Sequence, residues 1–196
     1  MKKKGFTLAE MVVAITVVGA VAAASVPLIN SIIPDRKKIA VLKVHKQITS
    51  INQNLLTNPS IYYDDNNCDG LACTAAPLNW TPRINGVTAN QAVGNVKYLI
   101  LLADSLNASN LNIDAGTFTT IDNIAWTVNG FDITIDIENG GNDCLFSNAC
   151  QNPDTFRFST DTNNGNVSGL DPLTITYLAN PHRLNNRAED YKNASK

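Results

Sequence analysis

A chain of 196 residues with 44% hydrophobic and 16% charged side chains and a net charge of −2 has room for one membrane-length segment and one globular domain of about 130–140 residues. The near-neutral total hides a split. Residues 1–60 hold eight basic side chains and two acids, while residues 61–196 hold seven and fifteen, so the acidic larger part argues against direct nucleic-acid binding.

At the N-terminus, Lys2-Lys3-Lys4 precede Gly5-Phe6-Thr7-Leu8-Ala9-Glu10, and an apolar run then reaches Ile33. As a helix, the run from Phe6 to Ile33 is roughly 42 Å long, more than a hydrocarbon core of about 30 Å. Glu10 stands at the mouth of this run, where a carboxylate is costly and calls for a partner. The three lysines stay cytoplasmic under the positive-inside rule. A secretory signal peptide is a second reading. Lys2–Lys4, Met11–Val21 and the small-residue cluster Ala22-Ala23-Ala24-Ser25 meet its three requirements, and cleavage after Ala24 would release a soluble binding domain. Against it stand Glu10 and the apolar residues beyond the cluster, Val26, Leu28, Ile29, Ile32 and Ile33.

Gly5-Phe6-Thr7-Leu8-Ala9-Glu10 behind a short basic leader resembles the class III signal of type IV pilins and type II secretion pseudopilins. The resemblance covers about residues 1–30. It implies a leader peptide of residues 1–5, cleaved after Gly5 by a prepilin peptidase/methyltransferase that N-methylates Phe6. It also implies a transmembrane and filament-core helix over residues 6–33, and a head over residues 34–196 outside the cytoplasm. The Glu10 carboxylate would pair with the Phe6 α-amine of a neighbouring subunit. Its partners would be other pilin or pseudopilin subunits, an inner-membrane assembly platform and, before assembly, membrane lipid. The final location would be a pilus or pseudopilus. Pro27 resembles the helix-breaking proline often found at that point in pilins; a simple kink is the other reading.

After Pro34, Val41, Val44, Ile48, Ile51 and Leu55 recur at helical spacing, predicting an amphipathic helix over 35–58 with Asp35 in its first turn. Asn58-Pro59 ends it. A turn-rich stretch, 62–91, leads to a short apolar helix over Asn95–Leu106. Ile124–Val128 and Phe131–Ile137 alternate at period two around Asn129-Gly130, a strong hairpin signal. Thr155–Ser159 predicts a third strand and Leu173–Tyr177 a fourth. A polar, loosely held tail follows from Asn180. The expected fold is α+β, a pilin-like lollipop whose long N-terminal helix, half in the membrane and half amphipathic, packs on an antiparallel sheet at about 117–178. Asp136-Ile137-Glu138-Asn139-Gly140, then Asn152-Pro153-Asp154-Thr155-Phe156, partly matches a pattern of pilin-family heads.

Cys68, Cys73, Cys144 and Cys150 all lie beyond the apolar run. In an oxidising compartment an even count suggests disulfides. Local pairs would close short loops worth roughly 2 kcal/mol each, against more than about 4 for cross-pairing; local spacing favours the first. A zinc site made by all four thiolates is the rival, with spacings loose for that motif. No cofactor is expected. Asp161-Thr162-Asn163-Asn164-Gly165 follows the first half of an acidic calcium loop, with Pro172 where the twelfth-position glutamate belongs. The family resemblance keeps calcium open, with Asp161 and Asn163 as ligands; an Asn/Gly turn is the alternative. His45 and His182 have no acid and nucleophile at a telling spacing, so no enzyme is expected.

Overall fold

The computed structural model describes residues 8–32, 35–62, 70–71, 80–84, 87, 92–140, 144–147, 149–150, 153–185 and 187–196; of residues 10, 22–32 and 95 it describes the backbone alone. Helix α1 runs Leu8–Ile32 and α2 Arg36–Thr57. Asp35 is the N-cap of α2 and not part of its first turn. Its extended backbone aims the carboxylate at the Lys37 and Lys38 N–H groups, 3.0 and 3.4 Å away, satisfying two donors that have no partner inside the helix. Asn58 caps the other end, and Pro59–Ile61 forms one 3₁₀ turn.

The buried stripe of α2 is Lys38, Val41, Val44, Ile48, Asn52 and Leu55. Ile51, expected on it, is only half-buried, and the neighbouring Asn52 takes the inner position. That shift follows from hydrogen bonding. Asn52 accepts from the Tyr98 hydroxyl at 2.9 Å and donates to the Gly165 carbonyl at 3.1 Å, so a polar side chain is satisfied in the core.

Six strands form one antiparallel sheet in chain order: β1 Ser109–Asn112, β2 Thr117–Thr119, β3 Ala125–Asn129, β4 Asp132–Asp136, β5 Thr155–Thr160 and β6 Val167–Gly169. The sheet therefore occupies 109–169, where 117–178 was expected. The β3–β4 turn is displaced by one residue from Asn129-Gly130. Asn129 pairs with Asp132, so the two loop residues are Gly130 and Phe131. Gly130 has φ +65°, the position and sign a type II′ turn requires. Ile133 and Ile135 point inward with Trp126, Phe156 and Phe158, against Val41, Val44 and Ile48. Each of these side chains is at most 1% exposed, and burial at that level stabilises by about 1.5–3 kcal/mol per large apolar side chain. Helix α3, Gly94–Ser105, closes the core.

Leu173–Tyr177 is not a strand. It lies in helix α4, Pro172–Ala179. Asp171 caps it by accepting from the Thr174 N–H at 2.9 Å, and Pro172 takes its first turn, a helix-start arrangement that outweighs the β propensity of alternating Thr and Ile. The tail beyond Asn180 is not loose either. It carries helix α5, Arg187–Ala194, with Asp190 buried.

The register gives the head two ends. The β1–β2, β3–β4 and β5–β6 turns and the C-terminus of α2 lie at the far end. The β2–β3 turn, the 137–154 loop, α4, α5 and the N-terminus of α2 lie at the end nearest α1.

Candidate assembly site

Helix α1 exposes apolar side chains in every direction: Leu8, Met11, Val12, Val13, Ile15, Val17, Val18 and Val21 are all more than half exposed. A helix apolar on all sides belongs inside a membrane or a bundle of helices. The one hydroxyl in its first turns is satisfied internally, Thr16 Oγ1 donating to the Val12 and Val13 carbonyls at 3.0 and 2.9 Å, which suits water-free surroundings. Among the described residues no helix is long and apolar enough to cross a membrane. The described side chains of α1 run from Leu8 to Val21, about 21 Å of helix, which is short of a hydrocarbon core.

Where α1 ends, the head is tied by a collar of polar and aromatic contacts. The Asp35 N–H donates to the Leu184 carbonyl at 2.9 Å, and the Tyr177 hydroxyl donates to Asp35 Oδ2 at 3.0 Å. Lys38 Nζ, fully buried, meets Asp190 Oδ2 at 2.6 Å, the Arg183 carbonyl at 2.9 Å and the Tyr177 ring at 5.3 Å. Lys37 reaches the Pro153 carbonyl at 2.8 Å and Glu138 at 3.2 Å. Burial, followed by the adjacent Asp35 carboxylate, raises the Tyr177 phenol above its ordinary range, so this hydroxyl stays a proton donor. The collar joins the two ends of the head sequence, which periodicity cannot foresee. One signal was present: Lys38 sits three residues before Val41, in line with the buried stripe.

The disulfide Cys144–Cys150 closes one side of the collar. Its loop holds the Phe146 ring 5.0 Å from that of Tyr191 on α5. Below it, buried Asp154 accepts the Cys144 N–H at 3.0 Å. Asp136, in the partly matched family pattern, accepts N–H bonds from Glu138, Asn139 and Gly140 at 3.0 to 3.2 Å and so shapes the turn after β4.

The remaining sequence candidates are dispersed. Gly5, Phe6, Cys68 and Cys73 lie outside the described residues, as does the Glu10 side chain; the Glu10 backbone is in the first turn of α1. Asp161 spends Oδ1 on the Asn163 N–H at 2.9 Å, and its backbone closes the β5–β6 turn with Gly165 and Asn166. Asp161 and Asn163 thus lie together in one hydrogen-bonded turn with Gly165. Among the described residues no three His, Cys, Asp or Glu side chains converge to hold a metal. His45 is engaged with the Val167 carbonyl at 3.0 Å and His182 is on an exposed turn.

No curated protein and no solved structure matches the chain. Residues 1–26 match the prokaryotic N-terminal methylation motif, a stretch that includes the first 19 of the 25 residues of α1. The chain carries the N-terminal signal of type IV pilins and pseudopilins.

Proposed function

We propose that the chain is a structural, non-enzymatic subunit (pilin, minor pilin or pseudopilin) of a type IV pilus-like or type II secretion filament. The observation that carries this reading is the methylation motif over residues 1–26. An all-round apolar helix ahead of a folded α+β head supports it, in keeping with a pilin-like lollipop. Prepilin peptidase cuts after Gly5 and Phe6 is N-methylated. Residues 6–33 sit in the inner membrane with the head, 34–196, outside the cytoplasm, until the assembly platform moves the helix into a bundle of like subunits. Glu10 is the register contact: its carboxylate pairs with the Phe6 α-amine of a neighbour. Such a pair at about 4 Å is worth roughly 4 kcal/mol at an effective dielectric near 20, before desolvation.

Intact mass of the mature protein tests the reading. Loss of residues 1–5 with one added methyl is expected; loss of residues 1–24 would overturn it in favour of a secreted domain. Glu10→Ala should leave membrane insertion intact and lower filament incorporation, and normal incorporation of this variant would remove the role given to Glu10.

A further inference from the structure

Asparagine followed by glycine is the pair at which a backbone nitrogen most readily attacks a side-chain amide, because glycine has no Cβ to obstruct the approach. Among the described residues the pair occurs as Asn129-Gly130, Asn139-Gly140 and Asn164-Gly165. The fold holds the three in different ways.

Gly165 is buried under α2, where an added Cβ would lie 2.8 Å from Leu56 Cδ1. Its N–H donates to the Asp161 carbonyl at 2.8 Å, and its carbonyl accepts from Asn52 at 3.1 Å in a buried bond. The Asn164 side chain is held as well, its Oδ1 accepting the Asn166 N–H at 2.8 Å. Asn129 ends β3, and its pairing with Asp132 must break before its side chain can meet the Gly130 nitrogen. Asn139 and Gly140 are both exposed in the turn after β4, and a Cβ on Gly140 would meet nothing within 4 Å. Asn139 has φ +40°, a left-handed backbone that costs a residue other than glycine some strain. This turn is held by Asp136 Oδ2, which accepts the Gly140 N–H at 3.2 Å, and by Asn139 Nδ2, which donates to Asn123 Oδ1 at 3.0 Å. Both bonds are exposed, so water replaces them at little cost.

We propose that Asn139 is a self-modification site, which converts in water alone to aspartate and isoaspartate ahead of Asn129 and Asn164. The Gly140 nitrogen gives its proton to water and bonds to Asn139 Cγ. The Cγ–Nδ2 bond breaks and the nitrogen leaves as ammonia, taking a proton back from water, so that a five-membered succinimide remains. Water then opens the ring at either carbonyl, giving aspartate or, with one more carbon in the backbone, isoaspartate. Either product places a third carboxylate beside Asp136 and Glu138 and removes the amide that Asn139 offers to Asn123. The tie between the β2–β3 turn and the turn after β4 is then lost. Glu138 is the residue that Lys37 meets at 3.2 Å, so the change arises at the edge of the collar.

The test incubates the full chain in detergent micelles at mildly alkaline pH, folded or in urea. Peptide mapping follows the one-dalton gain and the isoaspartyl content at 129, 139 and 164. In urea the shared glycine makes the three rates similar. In the folded chain Asn139 should convert at least about fivefold faster than the other two, the factor that one further buried or ladder hydrogen bond is worth. Asn139→Gln, which would have to close a less favourable six-membered ring, should abolish conversion at that position and leave the other two rates unchanged. Asn139→Asp, which carries one of the products, should speed amide exchange over 120–124 and 137–140 several-fold. Equal rates at the three sites in the folded chain overturn the proposal, and so does a lead for Asn129 or Asn164. An Asn139 that stays intact in the folded chain while the unfolded chain reacts overturns it too, and unchanged exchange in Asn139→Asp overturns the loss of the tie.

Discussion

Replacing Asp190 by alanine removes the partner of a fully buried ammonium. Lys38 and Asp190 have side-chain exposures of 0 and 3% and lie 2.6 Å apart. At an effective dielectric near 20 their gross attraction is about 6 kcal/mol, most of it offset by the desolvation of both ions. Losing one partner leaves the other's desolvation uncompensated, which typically costs about 3–5 kcal/mol. Lys38 keeps the Arg183 carbonyl at 2.9 Å and the Tyr177 ring at 5.3 Å, so the lower value, about 3 kcal/mol, is expected. Helix α5 has eight residues and cannot stand without packing, so part of the loss should appear as detachment of α5 before the sheet unfolds. Chemical denaturation of the full chain measures the global part, and amide exchange over 187–194 the local part. In a second arm, Lys38→Met/Asp190→Leu should recover stability to within about 1 kcal/mol of the parent, as apolar replacements of buried pairs often do. If Asp190→Ala costs no more than an exposed surface pair, about 1 kcal/mol or less, with α5 amides still protected, the collar does not hold the junction and the reasoning fails.

Burial pushes the Tyr98 phenol up to about 12, against hydrogen bonds to Thr160 and Asn52 that pull it down. Because the folded value is the higher one, the stability it lends is complete below pH 10 and is lost as pH rises through 10 toward 12, about 3 kcal/mol in all. Denaturation midpoints titrated over that window should fall less steeply in Tyr98→Phe, with Tyr62 and Tyr177, also pushed up by burial, keeping part of the slope; an unchanged slope counts against the assignment. A Cβ on Gly169 would lie 2.8 Å from the Ile175 nitrogen and 2.9 Å from Thr174 Cγ2, so Gly169→Ala should cost about 1–3 kcal/mol in thermal or chemical unfolding. Cys144→Ser/Cys150→Ser should cost roughly 2 kcal/mol and speed exchange in α5 through the lost Phe146–Tyr191 contact; protection of 187–194 equal to the parent's would disconnect that loop from the collar.

Elements governed by local rules were legible in the sequence. The stripe from Val41 to Leu55 gave α2, Asn58-Pro59 its end, and alternation around Gly130 the central hairpin. Elements decided by tertiary contact were not. Helix α4 is a local case of conflict: Thr and Ile alternate over 173–177 at the period of a strand, and the helix start at Asp171-Pro172 outweighs them. Helix α5 reads as tail because the groups that hold it, the buried Asp190 carboxylate and the Tyr191 ring, meet partners far away in the sequence, Lys38 at 152 residues and Phe146. Strand β1, with exposed Ser and Asn at three of its four positions and a register irregularity against β2, has too little apolar alternation to be seen. Of the candidate site, the methylation motif was legible from six residues, whereas the collar that ties the start of α2 to the end of the chain was not.

The sheet order, each strand beside its sequence neighbours, sets a sequence of events for a head that becomes available from its N-terminal residues onward. The meander can pair hairpin by hairpin as residues 109–169 emerge, since every pairing is short-range. Closure between Lys38 and Asp190 cannot begin until residue 190 is out, and the long loop it closes makes it a late contact. The anchor of α2 is thus set last, although its residues appear early. A chain stalled before residue 190 would carry a formed sheet beside an α2 whose N-terminal end is unsecured, so completion of the chain is itself a condition for a closed head.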